Sequence, residues 1–268
     1  MENKVVVITG ASSGIGLSLA REYAQKGFCV VMAARGIERL LEECKSITDK
    51  GGKAIAVCCD VSKEEDCKNL IQEAIDNYKG INILICNAGI SMRALFDTVD
   101  MKVIHQLMDI NFWGTAYCCK YALPYIQNSR GSIVGISSVA GIHGLPARTG
   151  YSASKYAMTG LLDTLRVENL KKGVHVMIAC PGFTASNIRF NALTSDGSKQ
   201  GDTPRKEEKM MSAAEAAHII IKGITKRKRE LLMDFNGKGT KYLKVLFPSF
   251  VDKMFYRAMA KEENSPLA

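Results

Sequence analysis

Seven short, nearly unbroken apolar runs alternate along this chain with longer stretches whose apolar residues recur every three or four positions. That alternation limits the fold more than any single motif. The runs Val5–Thr9, Cys29–Ala33, Ala54–Cys59, Ile83–Cys86, Ser132–Ser137, Val174–Cys180 and Glu230–Met233 are predicted strands. A strand that is apolar at every position is buried on both faces, the condition of a parallel sheet covered by helices. The predicted helices are Ile15–Lys26, Ile37–Lys50, Lys63–Tyr78, Met101–Gln127, Tyr151–Lys171 and Ala213–Lys226. Asp100 and Ser212 stand just before two of them as candidate N-caps, because a side-chain oxygen there can accept from a free N–H of the first turn. The expected fold is α/β and doubly wound: a seven-stranded parallel sheet with helices on both faces. With 268 residues, 47% of them hydrophobic, the chain can bury that core as one domain. The domain is expected over residues 1–235, with 236–268 as its C-terminal extension.

Between the first run and the first helix lies Thr9-Gly10-Ala11-Ser12-Ser13-Gly14-Ile15-Gly16. Glycine lets backbone approach a pyrophosphate, and a helix N-terminus presents free N–H groups with a partial positive charge. Gly10, Gly14 and Gly16, with the Ser12 and Ser13 hydroxyls and the backbone at Ile15, form a candidate phosphate cradle on a Rossmann-like sheet. A tight turn uses glycines for its own sake, so the cradle needs support from elsewhere in the chain. The second run continues Ala33-Ala34-Arg35, where an NAD-selective site carries an acidic residue for the ribose 2′-hydroxyl. Arg35 offers a guanidinium to a 2′-phosphate instead, which favours NADP(H) over NAD(H).

Support comes from Tyr151 and Lys155, four residues apart in Tyr-Ser-Ala-Ser-Lys. A phenol has an unperturbed pKa of about 10, so a catalytic tyrosine needs a fixed positive charge nearby. Lys155, one turn later on the same helical face, supplies one. Tyr151 is the expected proton donor to a carbonyl oxygen during reduction, and the acceptor during oxidation. Ser138, at the end of the fifth run, is placed to hydrogen-bond the same oxygen as charge develops on it. Ser137 competes for that role.

The landmarks Thr9-Gly10-x-x-x-Gly14-x-Gly16, Asp60-Val61, Asn87-Ala88-Gly89, Asn111, Ser137-Ser138, Tyr151-x-x-x-Lys155 and Pro181-Gly182 occur in an order and at intervals that resemble the short-chain dehydrogenase/reductase family. The resemblance runs to about residue 235. It implies hydride transfer between a nicotinamide cofactor and a ketone or secondary alcohol, with Asn111, Ser138, Tyr151 and Lys155 as the catalytic set. The thirteen-residue interval to Tyr151 matches the family pattern for Ser138 over Ser137. Lys155 would also hold the nicotinamide ribose, Asp60 would contact the adenine and Asn87 the nearby ribose region, and Val61, Ala88, Gly89, Pro181 and Gly182 would complete the cofactor site. Asp60 could otherwise cap the helix near Lys63. Asn111 would kink the fourth helix and anchor a relay water. A hydroxyl near the nicotinamide amide would fall at Thr184 or Ser186, although Phe183-Thr184-Ala185-Ser186 departs from the family's usual residues there. The family's dimer bundle would use the helices 101–127 and 151–171, so a homodimer or homotetramer is expected.

Residues 183–211 are rich in Ser, Gly, Asp, Lys and Thr and follow a strand end, where a segment can close over substrate. A plain surface loop is the alternative. Beyond residue 235, Leu243, Leu246, Phe247, Phe250, Val251, Met254, Phe255, Ala258 and Met259 make one apolar face opposed by Asp252, Lys253 and Arg257. The net charge of +9 concentrates here, since residues 222–257 hold ten Lys/Arg against three Asp/Glu. Two readings stay open: a basic, aromatic tail that packs over the substrate cleft and touches an anionic membrane, or a helix docked on the protein itself or on a partner subunit. The tail resembles those of short-chain reductases of steroids, keto-sphingoid bases and acyl-ketones, which implies a lipophilic carbonyl substrate of that type. A reductase of small polar or sugar carbonyls using NAD(H), and a non-catalytic NADPH-binding scaffold, remain alternatives.

The run Lys226-Arg227-Lys228-Arg229 lacks any accompanying recognition module, so nucleic acid is not an expected partner. The four histidines have no metal-ligand spacing, and no metal is expected; His143 alone falls near the chemistry, as a candidate for the substrate entrance. Nine cysteines without CxxC spacing read as reduced thiols. The apolar segment Val5–Ile8 is too short for a signal or a span. The expected location is cytoplasmic, with peripheral membrane contact through the tail as an option.

Overall fold

A computed structural model describes residues 4–182, 184, 187–203, 210–233 and 235–267, with backbone alone for 235–238. Its strands are β1 Val5–Thr9, β2 Cys29–Ala34, β3 Lys53–Cys58, β4 Ile83–Cys86, β5 Ser132–Ile136, β6 His175–Cys180 and β7 Glu230–Leu232. Each falls within a residue or so of its predicted run. All pair in parallel, in the order β3-β2-β1-β4-β5-β6-β7.

Along each strand successive side chains alternate between the faces. Val6, Ile8, Val30 and Met32 pack with α1 (Gly14–Gln25), α2 (Ile37–Thr48) and α7 (Ala213–Thr225). Val5, Val7, Cys29 and Val31 face α3 (Glu64–Tyr78), α5 (Gly114–Asn128) and α6 (Thr149–Glu168) on the other side. Chain order reverses between β1 and β4, and a crevice opens there at the strands' carboxyl ends.

Both predicted N-caps form. Asp100 accepts from Lys102 N at α4 (Met101–Met108), and Ser212 makes a full capping box with Glu215 at α7. The helix expected over 101–127 is not one α-helix. A π-helical turn, Asp109–Trp113, separates α4 from α5, and a π turn widens the backbone ladder where a side chain or ligand needs room.

Eight of the nine free cysteines are buried, and Cys58 is exposed. Of the basic run, Arg227 donates to the carbonyls of Arg130 and Gly173, a structural use. Among the described residues, no helix is long and apolar enough to cross a membrane. The extension folds as α8 (Phe235–Leu246) and α9 (Pro248–Ala260), broken at Phe247-Pro248, where proline suits the first turn of a new helix.

Candidate active site

The Gly-rich turn is held from beneath by Thr9 and Asn87. Thr9 Oγ1 accepts from the backbone N–H groups of Asn87 and Ala88, both at 3.0 Å. Asn87 Nδ2 donates back to the carbonyls of Thr9 and Gly10. Gly10 has φ +64°, and a Cβ there would lie 2.9 Å from Ala88 Cα. A Cβ at Gly16 would lie 2.3 Å from the Gly10 carbonyl oxygen. The turn therefore packs so closely on itself and on the end of β4 that these glycines are required before any phosphate arrives. The amide nitrogen of Asn87 is spent on this clamp, a structural duty that the expected ribose contact did not include.

One cavity of about 820 Å³ runs from this turn into the chemistry end. Gly10, Ser12, Ser13, Gly14 and Ile15 line it, with Arg35, Asp60, Val61, Asn87, Ala88 and Gly89. Gly16 is buried behind them. Ser13 is the N-cap residue of α1 but makes no side-chain cap bond. Arg35 is exposed at the rim, with no side-chain hydrogen bond or ion pair to any described residue. Asp60 does not cap α3, whose N-cap is Lys63; its Oδ1 accepts from Ser62 N and Ser62 Oγ. A glycine cradle at a helix N-terminus, an available guanidinium and a continuous cavity fit a phosphorylated dinucleotide.

At the other end, Ser138, Tyr151, Lys155, Pro181, Gly182 and Thr184 line the same cavity. Ser138 lies close enough to Tyr151 to pull its phenol down, whereas the Ser137 hydroxyl is buried against Gly141 with no hydrogen-bond partner among the described residues. Ser138 is therefore the serine presented to the tyrosine. Asn111 sits fully buried in the π turn. Its Oδ1 accepts from Ile90 N, and its Nδ2 donates to the Ile90 carbonyl and to Ser154 Oγ. Thr115 Oγ1 donates to the Asn111 carbonyl at 3.0 Å. Thr184 is buried and donates to the Gly182 carbonyl; Ser186 lies outside the described residues.

The electrostatics differ from the sequence expectation. Burial raises the Tyr151 phenol, and the nearby Ser138 hydroxyl and the charges of Arg148 and Arg189 only offset this in part. Lys155 Nζ lies 5.9 Å from the Tyr151 ring centroid, donates at 2.9 Å to the Ile136 carbonyl, and is pushed down to about 8 by burial. In the chain by itself, desolvation is the largest influence on both groups, because both are buried in a low-dielectric site.

Three lining residues had no sequence signal: Arg148 from the start of α6, Arg189 from the segment after β6, and Glu262 from the extension. Met254, Phe255, Ala258 and Met259, on the apolar face the sequence marks, line the cavity too. Residues 187–203 are not a loose surface loop: Leu193 N donates to the Ser91 carbonyl, Arg93 N donates to the Leu193 carbonyl, and Asp100 N donates to the Ser195 carbonyl. Segment 204–209 of the expected substrate loop lies outside the described residues. His143 is buried and stacks on Phe255 with ring centroids 4.7 Å apart, so it ties α9 to the cleft mouth. The extension therefore docks on the protein. It divides its apolar residues, with Val251 and Met259 buried and Leu246, Phe247, Phe250 and Tyr256 exposed.

The family model for short chain dehydrogenases matches residues 4–196. A Dictyostelium discoideum dehydrogenase/reductase SDR family protein 7-like is 32% identical over 96% of this chain and 82% of its own length. The 11-beta-hydroxysteroid dehydrogenase A of Sesamum indicum is 34% identical over 94% of this chain and 74% of its own. Among solved structures, a Burkholderia phymatum short-chain dehydrogenase/reductase in complex with NAD superposes with a TM-score of 0.82, at 22% identity over 93% of this chain and 95% of that one. At that identity the likeness concerns the fold. With the family model and these relatives added to its sheet order, this chain belongs to the short-chain dehydrogenase/reductase family and is an oxidoreductase acting on CH–OH groups.

Proposed function

We propose that the protein interconverts a ketone and a secondary alcohol with NADP(H), acting on a carbonyl compound with a hydrophobic body. The observation that carries this reading is that Ser138, Tyr151 and Lys155 share one cavity, which runs from the Gly-rich turn to the apolar side chains of α9. Bound nicotinamide supplies or accepts the hydride. Tyr151 Oη gives its proton to the carbonyl oxygen in reduction and takes one back in oxidation. Ser138 Oγ hydrogen-bonds that same oxygen and stabilises the charge that develops on it. Lys155, held on the Ile136 carbonyl, keeps further N–H donors for the ribose hydroxyls and for the phenolate. The Asn111 carbonyl in the π turn has a second lone pair for a relay water.

Arg35 supports NADP(H), through charge-assisted contact with a 2′-phosphate. Leu145, Leu193, Met254, Phe255 and Met259 support a hydrophobic substrate, as do relatives named 11-beta-hydroxysteroid dehydrogenase. The exposed apolar residues of α8 and α9, among Lys241, Lys244, Lys253 and Arg257, suit peripheral contact with an anionic membrane. Free thiols suit the cytoplasm. Trp113, half exposed and stacked on Tyr117, suits a homodimer face along α5 and α6. The test is oxidation of NADPH and NADH across ketones from small sugars to steroids and long-chain keto lipids. Selective turnover of large apolar ketones with NADPH is expected, and a preference for NADH or for small polar carbonyls would overturn the corresponding half.

A further inference from the structure

Beside Tyr151 the chamber is not uniformly apolar. Arg148 is the N-cap residue of α6, one turn ahead of Tyr151, and its guanidinium lines the cavity. Its Nη1 donates to the Met92 carbonyl, which fixes the group, and its Nη2 lies 3.9 Å from Glu262 Oε2. Arg93 Nη2 lies 3.8 Å from the same oxygen and donates at 2.6 Å to the Glu263 carbonyl. All three side chains are at most 10% exposed. Glu262 follows α9 and also lines the chamber. A carboxylate from the C-terminal strap therefore stands within the substrate space, one ion pair away from the residue that opens the catalytic helix.

We infer that this is a carboxylate subsite: the substrate is an apolar ketone bearing a carboxylate that replaces Glu262 on Arg148 and Arg93. The inference rests on the reductase reading for the word substrate, and on the cluster alone for the subsite. Both contacts to Glu262 exceed hydrogen-bond length, so these two arginines hold it by charge rather than by directed bonds. Buried charges are costly unless compensated. Exchanging one carboxylate for another keeps the two guanidiniums compensated, whereas a neutral ketone that pushed Glu262 aside would remove that compensation. The same cluster thus favours an acid and rejects its neutral isostere. Leu145, Leu193, Met254, Phe255 and Met259 would hold the apolar body between Tyr151 and the strap.

The experiment is calorimetric titration of the full chain, loaded with NADP+, with benzoylpropionate and with benzoylpropionamide, alongside NADPH turnover of both. The acid is expected to bind at least about tenfold more tightly than the amide. Glu262→Gln is expected to tighten the acid, because it removes the internal competitor, and to tighten the amide as well, because displacing a neutral residue 262 no longer strips charge from the arginines. Arg148→Met is expected to erase the preference, and Glu262→Gln tests the subsite should that variant fail to fold. Equal binding of acid and amide, or an acid affinity unmoved by Glu262→Gln, would overturn the inference. Acid-selective binding without turnover of either compound counts against the reductase reading and leaves the subsite standing.

Discussion

Asn111 donates a 2.9 Å hydrogen bond to Ser154 Oγ, and that hydroxyl donates in turn to the carbonyl of Tyr151. The π turn and the catalytic helix are thus joined through a buried serine that sits beside Lys155 in sequence. Ser154→Ala leaves the Asn111 amide one acceptor short. The expected cost is about 1–2 kcal/mol of stability and about a tenfold fall in kcat, with cofactor KM little changed. Urea unfolding and steady-state kinetics on the same preparation check both.

Tyr151→Phe removes the proposed proton donor and keeps the ring. Turnover is expected to fall by about 10²–10⁴-fold, while NADPH still binds, as followed by its fluorescence. A phenotype that survives this change would favour the binding-only alternative.

Lys155 carries a stability cost that depends on pH. Burial holds its pKa near 8 against an ordinary 10.5, so the unfolded chain binds more protons between those values and stability rises with pH across that window. Below pH 8 the cost is fully present, at most about 3 kcal/mol, and it vanishes above 10.5. Lys155→Met is therefore expected to abolish turnover yet raise Tm at pH 7, with the gain shrinking as pH rises from 8 to 10.5. Thermal melts of both proteins across that range provide the check.

Arg35→Ala is expected to weaken NADPH by about 10–100-fold, the worth of a charge-assisted contact, and to leave NADH within about twofold. Parallel kcat/KM values for the two cofactors read this directly. Equal losses for both would remove Arg35 as the 2′-phosphate reader.

Val245 and Phe250 are largely exposed on α8 and α9. Replacing both with Glu is expected to reduce co-sedimentation with phosphatidylserine vesicles and to leave turnover of a soluble ketone unchanged. Wild-type protein that stays in the supernatant would count against membrane contact.

The sheet was legible because its central strands are apolar on both faces, as a covered parallel sheet requires; β1 and β4 match their predicted bounds to the residue. The caps at Asp100 and Ser212 were legible because capping is local chemistry. The candidate site was legible where its residues lie close in sequence or carry fixed intervals, as Tyr151, Lys155 and Ser138 do. The break at Asn111 was expected from the family resemblance alone, since its neighbours keep helical spacing and what holds the π turn is a distant pairing with Ile90 and Ser154.

Sequence alone therefore determined the α/β class and singled out the cradle glycines, Tyr151, Lys155 and Ser138 as candidates, because these follow from periodicity and intrinsic chemistry. Tertiary structure decided the rest. It set the direction of the Tyr151 and Lys155 shifts, because desolvation is a property of the packed site. It turned α9 inward at Val251 and Met259 and outward at Phe250. It also brought Arg93, Arg148 and Glu262 together, because contacts between residues far apart in the chain exist only once the chain has folded.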